Sequence, residues 1–310
     1  MMTKEEVSDY ENGIFKSSYE MFERIVESVN DAMSELDREI KFSVINSYDF
    51  NAHARKPDEN TYTIQLRSGI IPMTLQIIGE NVDFYTSKYP MLEDKETPVA
   101  LGCVFVWTQI FAHELGHIIR GHVDLTKNNS TNLIDDDQLS MIEVPSDTDL
   151  EKDQIKMLME FDADLFSTFF VAEVLLNVIK NANKDIEVED ETILSVAIAS
   201  IMIFFNFLCE TEGKSTKYPP AMVRANVIQE KLVGHLSGKT TLSDSELSRV
   251  MTTTIYDVFS FLDDEGAFQQ DMGKQSLDFL AKVENRLLHL HPVFVDLISA
   301  GIIMKFGEVE

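Results

Sequence analysis

"FAHELGHIIRGH", residues 111–122, puts three histidines and one glutamate within ten residues of a chain that has seven histidines in all. Two readings compete for it. Either the stretch is a helix presenting metal ligands with a base beside them, or it is a core helix whose histidines are satisfied by neighbours. Residues four apart on an α-helix are rotated by about 40°, so His113 and His117 point the same way, one turn apart. Glu114 lies about 100° round the axis, next to the space both imidazoles address. The upstream half, "VALGCVFVWTQIFA", is apolar, so the histidines are mounted on a rigid, buried element. A plain core helix would leave Glu114 buried without a partner, which is costly.

The spacing His113-Glu114-Leu115-Gly116-His117 is that of the H-E-x-x-H zinc motif: two ligands and an adjacent general base. The expected cofactor is Zn2+. A catalytic zinc takes a third protein ligand and keeps a fourth position open. His122 is the nearest candidate, but it lies about 180° round the same helix from His113. It becomes available if Gly121 breaks the helix sharply, and otherwise is a helix-end residue meeting the last carbonyls. The better candidate is in "LMEFDADLFSTFF", where Glu160 and Asp164 share one helical face among apolar residues. Charges are seldom placed in such a setting unless paired or metal-bound. Glu160 is expected as third ligand, and Asp164 as acceptor for the far nitrogen of a ligand histidine, fixing its tautomer. Asp162, about 160° from Glu160, is expected to face solvent. The competing reading is an exposed acidic face on an amphipathic helix.

H-E-x-x-H followed by a helix with E-x-x-A-D, here Glu160 to Asp164, resembles the gluzincin-type metallopeptidases. Within them the chain looks most like the Lit phage-exclusion peptidases and, more distantly, the HtpX-type zinc peptidases. Three further features carry the resemblance: a histidine nine residues after the first ligand (His122), an apolar helix after the glutamate helix, and "YPPAMVRANVI". That last stretch has Arg224 six residues after Tyr218, which stands where the family pattern has histidine; "HLHPVF", with His289 and His291, is a rival H-P segment that nothing in the sequence places near the zinc. The resemblance covers roughly residues 60–230. It implies a zincin-like core in an α+β, mostly α-helical fold, and zinc-dependent hydrolysis of a peptide bond in a protein substrate. Glu114 would be the general base, with Tyr218 or Arg224 helping zinc to stabilise the oxyanion. It further implies that the strand at residues 61–67 forms the sheet edge on which substrate backbone adds. An ordinary core strand is the rival reading there. A role in phage defence is implied by the resemblance alone. Two other readings stand beside this one: a regulatory peptidase that cleaves a repressor, and a non-catalytic, zinc-stabilised binding or scaffold protein.

Outward from the motif, the 310 residues can bury a substantial core, and 44% hydrophobic content is that of a globular chain. Fifty-three acidic residues against 26 basic ones give a formal charge of −27, which repels phosphate backbones and anionic bilayers. Neither nucleic acid nor a membrane is an expected partner. Cys103 and Cys209 sit in apolar runs, which fits buried thiols in a reducing cytoplasm better than a disulfide scaffold. The N-terminal "MMTKEEVSDYENG" has no apolar signal core, again predicting a cytoplasmic location. "ILSVAIASIMIFFNFL", residues 193–208, is short for a bilayer span, which needs about 20 apolar residues, and reads as a buried core helix.

Apolar spacing predicts a helix over 17–37, with Ser17 and Glu20 in capping-box positions. Alternation at Ile40, Phe42 and Val44, and again at Tyr62, Ile64 and Leu66, predicts a small N-terminal antiparallel sheet joined by turn material at 51–60. Helices follow from Pro98 to about Arg120, over 150–182, and at 221–236, 244–262, 274–288 and 293–304. The acidic stretch 124–154 exceeds ordinary loop lengths, which marks it as a lid or a disordered connection. One domain, residues 1–310, is expected: a catalytic core at about 60–230 followed by a helical part, 231–310.

Overall fold

The computed structural model describes residues 1–32, 38–90, 95–125, 152–185, 189–212, 221–262 and 274–299. The fold is α+β and mostly helical, with one three-stranded mixed sheet near the N-terminus. Two N-terminal helices, α1 (Lys4–Asp9) and α2 (Lys16–Ala32), come first. The capping box is at Thr3 and Glu6 of α1; Ser17 lies inside the first turn of α2 and does not cap it.

The sheet corrects the antiparallel expectation. Strands β1 (Glu39–Ile45) and β3 (Thr61–Arg67) pair in parallel, and β2 (Ala52–Arg55) pairs antiparallel with β3, giving the order β1-β3-β2. The sequence reading placed only turns between the two alternating stretches. In fact the chain reverses twice there, with a four-residue strand between, so β1 and β3 run the same way. "AHAR" is too short to show a period, which is why it reads as turn. The apolar alternation nevertheless sets the register: Ile40 faces Tyr62, Phe42 faces Ile64 and Val44 faces Leu66. Their common face rests on α2 and on the central helix, where Phe22 stacks on Phe111 with centroids 4.2 Å apart.

Helices α3 (Ile70–Glu80) and α4 (Val82–Lys88) lead to the central helix α5 (Glu96–Ile119). It is buried along most of its length, packed by the sheet, α3, and two long helices, α6 (Lys152–Asp185) and α7 (Asp190–Glu212). Glycine allows both close approaches. A Cβ on Gly102 would sit 2.5 Å from Ser200 Oγ of α7, and one on Gly116 would meet Phe166 at 3.0 Å and the Ala163 backbone at 3.3 Å on α6. Both α5 and α7 are apolar and long enough to cross a bilayer, yet 78% and 83% of their most apolar windows are buried inside the fold. The 193–208 segment is thus a core helix.

Three more helices complete the described chain: α8 (Ala221–Leu236), α9 (Asp244–Leu262) and α10 (Lys274–Ser299). The first two match their expected bounds. The third replaces the two helices expected at 274–288 and 293–304, because Pro292 is accommodated inside one continuous helix. A proline removes one backbone donor, and the predicted break assumed that the helix would stop there. α10 packs on α6 and α8, and one hydrophobic cluster runs from Val7 to Phe294.

Candidate metal centre

The close α5–α6 approach at Gly116 sets His113 and His117 against Glu160. The two Nε2 atoms are 3.0 Å apart, Glu160 Oε2 is 3.2 Å from His113 Nε2, and Glu160 Oε1 is 3.8 Å from His117 Nε2. Zinc–ligand bonds of about 2.0–2.1 Å in a tetrahedron put neighbouring donors about 3.3 Å apart. The three residues are buried, offer one ligand atom each within 4.8 Å of one another, and could hold a metal ion.

Each imidazole is held from behind. His113 Nδ1 lies 2.9 Å from Asp164 Oδ1, as expected of Asp164. Asp164 in turn accepts from Arg224, at 2.6 Å from Nε and 3.1 Å from Nη2. Arg224, carried in on α8, is buried and its Nη2 is 3.8 Å from Glu160 Oε2. Its described contacts hold the two carboxylates in place. Tyr218 and most of the acidic stretch, residues 126–151, lie outside the described residues, as does the side chain of Cys209. Cys103 is a free, buried thiol, as expected.

His122 and Asp162 depart from expectation. Gly121 has φ +76°, ends α5 and turns the chain back, so the sharp break that would free His122 is present. The result is different from ligation and from carbonyl capping. His122 Nδ1 meets His117 Nδ1 at 2.9 Å, on the side of that ring away from Glu160. His122 Nε2 lies 3.1 Å from Asp162 Oδ2. Asp162 is buried rather than solvent-facing, and also takes Arg120, at 2.7 and 2.9 Å, and His291 of α10 at 2.5 Å. Helical-wheel arithmetic places Asp162 away from Glu160 correctly. What it lacks is the knowledge that the chain after α5 and α10 both cover that side. His291 had no local signal linking it to the site.

Glu114 is fully buried, and among the described residues neither carboxylate oxygen has a partner in full hydrogen-bond geometry, although the Ala54 amide lies near enough to act on it. Burial pushes its carboxyl up to about 8, against the pull of His113, with the Ala54 amide and Arg224 acting in the same lowering sense. Burial pulls His113 down, but Asp164 and Glu160 outweigh it and raise the imidazole to about 10. Burial holds His117 well below the usual histidine range. Glu160 is drawn down to about 2 despite its burial, by His113 and His117. Among the described residues, four carboxylates (Glu114, Glu160, Asp162, Asp164) face two guanidinium groups (Arg120, Arg224), which with neutral imidazoles leaves two negative charges in excess. A divalent cation offsets that amount.

The sheet edge is also not where the sequence reading put it. β3 is central, with β1 and β2 on either side, so residues 61–67 offer no free edge. The edge toward the centre is β2. Asn51 O accepts from Arg67 N at 3.0 Å, so in the alternating antiparallel ladder Ala52 and Ala54 turn their backbone groups away from β3. No protein-family model, no curated protein and no solved structure matches this chain.

Proposed function

We propose that the protein is a zinc-dependent peptidase of zincin-like architecture, acting on a peptide bond in a cytoplasmic protein. The single observation that carries this reading is Glu114: a carboxylate wholly buried, with neither oxygen in a well-formed hydrogen bond among the described residues, beside three residues that could hold a metal. A site built only to hold a structural metal has no use for such a group and favours four closed ligands. A zinc ion held by His113, His117 and Glu160 would supply Lewis acidity toward a scissile carbonyl. Glu114 takes the proton of the attacking water and delivers it to the leaving amine, a task suited to a carboxyl whose affinity for protons is raised by burial. Asp164, fixed by Arg224, keeps the proton of His113 on Nδ1 and frees Nε2 for the metal.

A second reading, a zinc-stabilised protein without turnover, is favoured by burial: His113, Glu114 and His117 are 1%, 0% and 0% exposed. The Glu114→Gln variant separates the two. It should bind zinc as the wild type does and generate no new peptide termini when the two are expressed in matched cells and compared by proteomics. Cleavage at wild-type rates by Glu114→Gln, or no difference in termini, would remove the peptidase reading.

A further inference from the structure

We propose that His122 is a relay imidazole joining the metal ligand His117 to Asp162, and that His291 makes helix α10 a working part of the same centre. The inference rests on the reading of His113, His117 and Glu160 as a zinc site.

The direction of every hydrogen bond in the chain follows from one condition. A ligating nitrogen carries no proton, so if His117 Nε2, which faces His113 and Glu160, holds the metal, the ring proton of His117 is on Nδ1. That N–H donates to His122 Nδ1, 2.9 Å away, which must then be bare. The proton of His122 is therefore on Nε2, where it donates to Asp162 Oδ2 at 3.1 Å. The opposite order sets two N–H groups against each other at one end and a lone pair against a carboxylate at the other. Asp162 also accepts from Arg120 through both oxygens and from His291 Nε2 on Oδ1, so four donors meet about four lone-pair positions. With that carboxylate saturated and its direction fixed, His122 has one tautomer and His117 one orientation.

The geometry also excludes His122 as a ligand, because the nitrogen it presents to His117 meets that ring's far side. Its place is fixed from two directions. Behind Gly121, Asp124 accepts from Lys56 at 2.5 Å and from the Tyr62 hydroxyl at 2.9 Å, pinning the turn to the sheet. From α10, buried Phe294 packs on the His122 ring with centroids 5.7 Å apart, and His291 lies beside Phe161 at 5.8 Å. The far end of the chain thus reaches the metal ligand through three polar groups.

The test measures the zinc dissociation constant by chelator competition for wild type, His122→Phe, His291→Ala and His291→Gln, with thermal unfolding as the check on folding. X-ray absorption on the zinc-loaded proteins counts imidazoles. His122→Phe keeps the ring contact with Phe294 and loses both nitrogens; it should weaken zinc about 10–100-fold, as loss of an outer hydrogen-bond partner does, with two imidazoles before and after. His291→Ala should weaken zinc less, and His291→Gln, which keeps an N–H donor, should recover most of that loss. Three imidazoles in the wild type, or zinc affinities of His122→Phe and His291→Ala both within about twofold of wild type, would overturn the relay. If His122→Phe does not fold, the His291 pair, on a partly exposed residue, decides. Weakened zinc binding in these variants together with a wild type that cleaves nothing would sink the peptidase reading and leave the relay standing. Unchanged affinities in an active enzyme would do the reverse.

Discussion

At the residue scale the centre is a problem in charge. Its two missing positive charges are met, in the metal-free protein, by protons: His113, raised to about 10, and Glu114, raised to about 8, both hold one at pH 7. Glu160, at about 2, and His117, held low, contribute none. Zinc binding at pH 7 should therefore release about two protons, measurable by calorimetry in buffers of different ionisation enthalpy. The sign follows: apparent affinity rises with pH, steeply below about 8 and less so between about 8 and 10, where Glu114 has already lost its proton. Glu114→Gln should lower the release at pH 7 to about one. Release unchanged by that substitution would show that the second proton comes from elsewhere. The candidate ligands and the carboxylate behind them were legible in the sequence, because helical spacing sets His113 with His117, and Glu160 with Asp164, on shared faces. The roles of His122, Asp162 and His291 were not, since each depends on a tertiary neighbour about 40 to 130 residues away along the chain.

At the element scale the centre depends on how near α6 lies to α5. Gly116, one of the two unspecified positions inside the zinc motif, is where the helices touch. Alanine there gains about 1 kcal/mol of helix propensity but meets the Ala163 backbone at 3.3 Å, and overpacking costs about 1–3 kcal/mol. Gly116→Ala should therefore change the unfolding midpoint of the metal-free protein little, or lower it, while weakening zinc severalfold as Glu160 is carried outward with its helix. Equal zinc affinity in wild type and variant would show that α6 has slack at this level. The sheet gives the complementary lesson. Alternation at 40–44 and 62–66 fixed which faces are apolar, but not the strand direction, because that was decided by β2, whose four residues are too few to show a period.

At the scale of the whole molecule, the candidate centre is enclosed: His113, His117, Glu160 and Glu114 are at most 3% exposed. On the peptidase reading proposed above, access of a peptide then requires the fold to open, and so does loss of a bound metal. Zinc removal by excess chelator should proceed at a rate that stops rising with chelator concentration, whereas an open site would give a rate proportional to it. A linear dependence up to the highest chelator concentration would point to direct access. α5 was legible as the centre of the fold from its apolar run and motif; that the final described helix closes over its end was not, since Pro292 looks locally like a break. The spread of the contributing residues, from 113 to 291, has a consequence for synthesis. Chains emerge from the ribosome in order, and the imidazole on α10 leaves the exit tunnel long after the ligand pair on α5. While it is being made, the nascent polypeptide holds an unfinished cage, and the cleavage proposed above would begin only after α10 has been translated.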